Sequence, residues 1–378
     1  MPIGMRTTYS DTNIRARVVA DMVAMIDFQS APLLKLLGIQ NEKKFRFKTW
    51  PTTKPEWLED NMAPITTTLA SGYTTTQTTI SVAAGTGAYF RAWQVLEIDS
   101  ERFLVTSVSG DTVTVAFAYQ STVNANHSSG ATVTIVSIAA PEGADPVTGY
   151  TTTLGNPYNY SQIISETVKV SRTAQKNSAY GVADQMAYQM GKLFSDSGKA
   201  GSLAQTLSRT FYKGKRNEDT SRNIRTMGGF DTYVTTNVKA LAGEPLQRKN
   251  IEDQIENIVN AGAIPDAIVC GSWAQRKISS FFEGQIMATR DESLGGAKID
   301  TVRTDFGELK IIFDWMSPKA DVRILSTEKI GWVEFDPFGM QELAKVGDYD
   351  QAQVVGEYSL VVMNDKAHAA ITGASTTA

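Results

Sequence analysis

A chain of 378 residues, 42% hydrophobic and 20% charged, is long enough for two or three domains and can bury a substantial core. Its net charge of −4 excludes a protein that grips nucleic acid by neutralising phosphates, which takes a basic face. The single cysteine, Cys270, excludes an intrachain disulfide framework.

Met1–Asn13 is polar, so no secretory signal is expected, and no apolar run approaches the ~20 residues of a membrane span. The Asn-X-Ser matches at Asn126 and Asn159 are accordingly read as chance. A cytoplasmic site of synthesis fits these features.

In chain order, Asp11–Ile26 predicts a helix, with Val18, Val19, Met22, Met25 and Ile26 on one stripe. Pro32–Leu37 is a second, shorter apolar segment ending at Gly38. Neither has a partner nearby in sequence, so each must dock on something distant in the chain or on another chain. Phe45–Trp50 alternates like a strand until Pro51.

Composition then changes. No lysine occurs between Lys54 and Lys169, and threonine is abundant. Inside this window Thr66–Ser137 reads as a small all-β domain, with strands at Thr78–Val82, Gln94–Ile98, Arg102–Val108, Thr112–Phe117 and Ala131–Val136. Asp99-Ser100 and Gly110-Asp111 supply turns, and the pattern suggests a barrel or a sandwich. The chain leaves as a strand at Phe45 and returns as a strand at Ser161. The domain is thus expected to be an insertion carried by an antiparallel hairpin.

The stretch from Asn159 to Gly214 organises the rest. Ile164, Glu166, Val168 and Val170 alternate with Ile163, Ser165, Thr167 and Lys169, a half-buried strand. Ser178 then reads as an N-cap. An apolar stripe through Val182, Met186, Met190, Leu193, Ala204, Leu207 and Phe211 predicts a helix over Ala179–Lys213. That helix would be roughly 50 Å long. Gly191, Gly198 and Gly201 each cost about 1 kcal/mol relative to alanine, and mark where it would bend or meet another backbone closely.

Lys213–Arg225 reads as a basic solvated loop and Phe230–Thr235 as a short strand or turn. Asn250 is expected to cap a helix with an Ile251, Ile255, Ile258 and Val259 face, ended by Gly262. Asp266–Cys270 is a short buried strand, and Ser272 opens a helix through Ile278 and Phe282. Strands Ile299–Thr304, Leu309–Asp314, Val322–Ser326 and Gly331–Phe335 complete a compact α/β module. Gln353–Met363 and Ala367–Ile371 are expected to pair with the strand at Ser161.

Little in the sequence suggests chemistry. The two histidines, His127 and His368, lie far apart; the first reads as a turn residue bonded to backbone and the second as a strand residue. With Cys270 they make too few nitrogen and sulfur donors for a zinc site. Cys270 reads as a core thiol. Gly85-Thr86-Gly87 lacks the third glycine of a dinucleotide loop, and no Gly-Lys-Ser/Thr is present. The acidic pairs Asp348/Asp350 and Glu334/Asp336 read as surface charge. The aromatics Tyr89, Phe90, Trp93, Phe103, Phe117 and Tyr119 read as core, with Tyr89-Phe90 the pair open to exposure.

Four motifs carry a resemblance: PEGADP at 141–146, NYSQIISETVKVSRTAQ at 159–175, YGVADQMAYQMGK at 180–192 and GEYSLVVMNDKAHAAITG at 356–373. With MRTTYS at 5–10 and SAPLLKLLG at 30–38, they resemble tailed-phage coat proteins of the Hong Kong 97-type fold, in particular those like that of phage SU-ten. The resemblance implies an α+β protein with an N-terminal arm (1–44) and an extended loop (45–170) holding the β-insert (64–140). It also implies a peripheral domain with a long spine helix (171–232 and 341–378) and an axial domain (233–340). The turn motif Tyr119–Val133, carrying His127, resembles small β-domains of other virion proteins.

The implied function is structural: a major capsid protein that self-assembles into pentamers and hexamers and forms an icosahedral shell around double-stranded DNA. The resemblance implies no catalytic residue, cofactor or metal, and no membrane or specific DNA contact. Implied partners are other copies of the chain, a portal, a scaffold and decoration proteins. Decoration, capsomer bracing and host-surface contact are open roles for the insert. A carbohydrate-binding virion adhesin and an unrecognised enzyme are the competing readings. The fold's namesake joins subunits by isopeptide bonds from a lysine on the extended loop. Here the extended loop has no lysine from Pro55 to Val168, which implies a shell held without such bonds.

Overall fold

The computed structural model describes residues 31–37, 52–60, 63–147, 149, 152, 154–177, 182, 184–193, 201–281 and 301–376. The helix expected at Asp11–Ile26, the strand at Phe45–Trp50 and the N-cap at Ser178 lie outside them. The chain divides into two compact units. The first comprises residues 1–57 and 157–378, and the second is the intervening Leu58–Asn156.

The first unit opens with α1 (Pro32–Leu37). Its Leu33, Leu34 and Leu37 are buried among Leu207, Phe211, Trp332 and Leu360, so this segment docks within its own chain. The limb after it runs antiparallel to residues 157–161. Trp57 N–H donates to Pro157 O at 3.1 Å, Asn159 N–H to Pro55 O at 2.9 Å and Ser161 N–H to Thr53 O at 2.9 Å.

The second unit holds six strands: β1 (Thr66–Thr68), β2 (Thr79–Ser81), β3 (Gln94–Ile98), β4 (Glu101–Ser109), β5 (Thr112–Ala116) and β6 (Thr132–Ile138). They form one antiparallel sheet in the order β1-β6-β3-β4-β5-β2. A bridge between Leu69 and Val82 joins the first and last strands, with Ala70 N–H on Ser81 O and Ala83 N–H on Thr68 O, both at 2.9 Å. The sheet thereby closes into a small barrel, which removes its open edges. Alternation fills the interior with Ile80, Leu96, Ile98, Phe103, Val105, Val113, Val115 and Val133. Threonines stand outside in cross-strand pairs such as Thr68 with Thr132. β1 is a strand the sequence pattern did not reveal. Phe90, considered for exposure, is buried in the barrel.

The first unit resumes with β7 (Gln162–Ser171), α2 (Arg172–Lys176), α3 (Gln185–Leu193) and α4 (Ser202–Lys213). The single helix expected over Ala179–Lys213 does not form. Gly201, the residue before α4, is extended with ψ 171°, and Ser202 instead hydrogen-bonds the Glu166 carboxylate at 2.6 Å. After proline, glycine is the residue least costly to take out of a helix. The predicted stripe still packs inward: Met190, Leu207 and Phe211 are buried.

Beyond α4 the expected loop is a hairpin, β8 (Asn217–Asp219) with β9 (Ile224–Thr226). The expected strand or turn at Phe230 is the short helix α5 (Phe230–Tyr233). Then come β10 (Val238–Ala240), α6 (Arg248–Asn260), β11 (Ala267–Cys270), α7 (Ser272–Phe281), β12 (Thr301–Thr304), β13 (Gly307–Phe313) and β14 (Val322–Leu325). α6 starts after Gln247, two residues before the cap expected at Asn250. It ends as expected at Gly262, whose φ of +85° suits glycine; Gly262 N–H bonds Val259 O and Ala263 N–H bonds Ile258 O.

The last strands are β15 (Ile330–Leu343), β16 (Tyr349–Val362) and β17 (Ala369–Thr372). β16 pairs antiparallel with β7 from Tyr358↔Gln162 to Tyr349↔Ser171, as expected, and with β15 on its other side. β17 does not join them. It enters a mixed sheet, order β10-β17-β14-β11-β13-β12, antiparallel to β14 and parallel to β10. Its Ala369, Ala370 and Ile371 are all buried, which suits a strand covered on both faces. Two apolar clusters result. One joins α1, α3 and α4 to the three-stranded sheet; the other joins α6 and α7 to the mixed sheet.

Candidate functional site

The residues with chemical potential are used by the fold. Both oxygens of Asp111 accept from Gly85 N–H at 3.0 Å, and one also from Gly87 N–H at 3.0 Å. These donors hold the Asp111 carboxyl below its usual range. The Gly-Thr-Gly turn therefore cradles a carboxylate of its own barrel. A Cβ at Gly87 would lie 1.9 Å from Gly110 O, so the close approach requires glycine.

His127 is buried and sits in an isolated bridge rather than a turn, and its ring meets carboxylates rather than backbone. Its backbone pairs with Tyr73, as N–H···O bonds of 2.8 and 2.9 Å. Its ring lies between two carboxylates, with Nδ1 2.6 Å from Asp99 Oδ2 and Nε2 3.1 Å from Glu101 Oε2. Glu101, only 1% accessible, also accepts from Ala118 N–H at 3.1 Å and Ala125 N–H at 2.9 Å. One buried carboxylate thus holds the long segment between β5 and β6 against the barrel. Burial and the Glu101 charge raise the pKa of Tyr73, which stacks on the His127 ring. Sequence reading missed this network, because an acid in a strand resembles surface charge.

In the first unit Cys270 is a core thiol, its pKa pushed up to about 12 by burial. His368 is fully buried, its pKa lowered to about 4 by burial. Asp348 pairs with Arg172 at 2.6 Å, and Asp350 with Lys345 and Gln175. Glu334 is half-buried and Asp336 exposed on β15. Asn159, matched as a glycosylation acceptor, is fully buried. Its Nδ2 donates to Gly228 O and Leu360 O, and its Oδ1 accepts from Gly228 and Tyr160 N–H. Among the described residues no cluster of metal-ligating side chains occurs, and no helix is long and apolar enough to cross a membrane.

What the described surface does offer is apolar side chains without cover. In the second unit Leu58 is 66% exposed, Ile65 68%, Ile138 50% and Leu154 58%. In the first, Phe335, Met340 and Val346 stand out on β15 and just beyond it. Beside them, an open groove of about 600 Å³ lies between Met186 of α3 and Glu342 and Ala352 of the β15–β16 pair. Such surfaces suit association with other protein chains.

The family model for the SU10 major capsid protein matches residues 5–375. The chain belongs to the SU10 major capsid protein family. It is a shell-forming capsid protein and a component of phage particles. Solved structures agree in fold. The Cyanophage A-1(L) capsid asymmetric unit aligns at TM-score 0.57 and 11% identity, over 98% of this chain and 100% of that one. A chain from Mycobacterium phage Ogopogo aligns at 0.52 and 12% identity, over 97% and 99%. The capsid of an empty GTA particle aligns at 0.52 and 10% identity, over 98% and 100%. No curated protein matches the sequence. In this capsid protein, as in the family, the structure indicates a building block that associates with its own copies.

Proposed function

We propose that the chain builds the icosahedral head of a tailed phage from pentamers and hexamers and encloses double-stranded DNA without binding it specifically. The family match across residues 5–375 carries this reading. A net charge of −4 supports a wall that contains DNA rather than holding it.

In this reading residues 1–44 are the arm, 45–170 the extended loop with the β-barrel as its insert and β7 as its returning limb, and α2 to α4 with β15 and β16 the core of the peripheral domain. The axial domain is the mixed sheet with α6 and α7, and the pairing of β17 with β10 and β14 supports counting β17 with it. Portal, scaffold and decoration proteins are the further partners, and assembly takes place in the host cytoplasm. The second unit, the insert with the limbs that flank it, braces neighbouring subunits, because Leu58, Ile65, Ile138 and Leu154 lack cover in that unit. The adhesin reading draws no support from a match that spans the whole chain.

The double variant Leu58→Asp/Leu154→Asp tests the bracing role. Both side chains are exposed, so the unassembled protein should keep its melting temperature while shell yield falls at least tenfold. Normal shell yield would overturn it.

A further inference from the structure

Two short connections join the sheets of the first unit. Residues 326–329 link β14 to β15, and residues 363–368 link β16 to β17. They run side by side, with Met363 N–H on Lys329 O at 2.8 Å. The ring of His368 bonds to both. Ser326 N–H donates to Nδ1 at 3.3 Å, and Nε2 lies 3.3 Å from Met363 O. A backbone N–H can only donate, so Nδ1 presents a lone pair and Nε2 carries the hydrogen. The tautomer is fixed by the fold, and the neutral ring is the form that closes both bonds.

We propose that His368 is an acid-released latch on the hinge between the two sheets. A proton on Nδ1 would set N–H against the Ser326 N–H, leaving that buried amide without an acceptor. Both connections would then loosen together. The charged groups acting on the ring are Asp365, on the second connection, and Asp266, whose carboxylate accepts from Thr327 on the first. Both favour the cation, yet burial outweighs them and keeps the ring neutral until about pH 4. Glu328, Lys329 and Lys366 lie on the same connections.

Hydrogen–deuterium exchange of the full-length protein between pH 7 and pH 3, corrected for intrinsic rates, tests the latch. Peptides spanning Ser326 and Met363 should lose protection at least tenfold near pH 4, before the rest of the chain. His368→Gln, whose amide can donate to Met363 O and accept from Ser326 without titrating, should keep them protected. Loss in that variant at the wild-type midpoint, or loss in all peptides at once, would overturn the proposal. Should the variant not fold, nitrogen NMR of the wild-type rings decides it. Nδ1 of His368 is expected unprotonated at pH 7, and a proton there would contradict the latch.

Discussion

The guanidinium of Arg323 meets the carboxylate of Asp231 at 2.8 Å, although Arg323 is 1% accessible. This pair ties β14 of the mixed sheet to α5 of the helical layer. Asp321 lies 3.6 Å away, its pKa raised mainly by burial, and the Tyr212 ring centre is 4.9 Å from the guanidinium. The Tyr212 hydroxyl donates to Asp314 at 2.7 Å, and burial with the Asp314 charge lifts its pKa well above the tyrosine range. Arg323→Ala should cost about 3–5 kcal/mol in urea denaturation, since it breaks the fully buried end of the pair and strands the largely buried Asp321. Asp231→Asn should cost less, because Asp231 is 40% exposed.

In the barrel, Glu101→Ala removes the shared acceptor of Ala118 N–H, Ala125 N–H and His127 Nε2. His127 is buried, Ala118 half-buried and Ala125 exposed, so the loss should be about 1–3 kcal/mol. Differential scanning calorimetry would register a lower melting transition for residues 58–156. An unchanged transition would mean that the segment between β5 and β6 does not depend on this carboxylate.

Acid should weaken the first unit through His368. Burial depresses its folded pKa from 6.5 to about 4, so the unfolded chain takes up a proton first as pH falls. The stabilisation is full above pH 6.5 and is lost as pH drops towards 4, up to about 3 kcal/mol. His368→Gln should flatten the stability profile across that window in urea titrations. An equally steep profile in the variant would assign the acid response to other groups.

Much of this fold was legible because it rests on local alternation. The barrel strands from Gln94 to Ile138 and the pairing of β7 with β16 follow period-two patterns. The helix break at Gly201 was not legible, because the apolar stripe continues across it. The destination of β17 was not legible either, since Ala369–Thr372 can pair wherever both of its faces are covered. Glu101 and Arg323 look like surface charges until distant segments close over them. The exposed Leu58 and Leu154 show why one chain is an incomplete unit for this sequence.

The absence of lysine from Pro55 to Val168 leads to a further expectation. Lys54 is engaged with Glu56 at 2.6 Å and sits over the Tyr158 ring, while Lys169 lies on the exposed face of β7 near the Tyr349 ring. Arginine cannot replace a reactive amine, because it stays protonated. Mature particles boiled in detergent should run as one band near 41.2 kDa. A ladder of dimers to hexamers would mean covalent locking, with Lys54 and Lys169 the first residues to substitute.

Electron microscopy of the purified, expressed chain tests the central claim most directly. Closed shells, or hexameric and pentameric rings that close into shells on concentration, are the predicted result. A population of monomers alone at concentrations where other capsid proteins assemble would contradict the account.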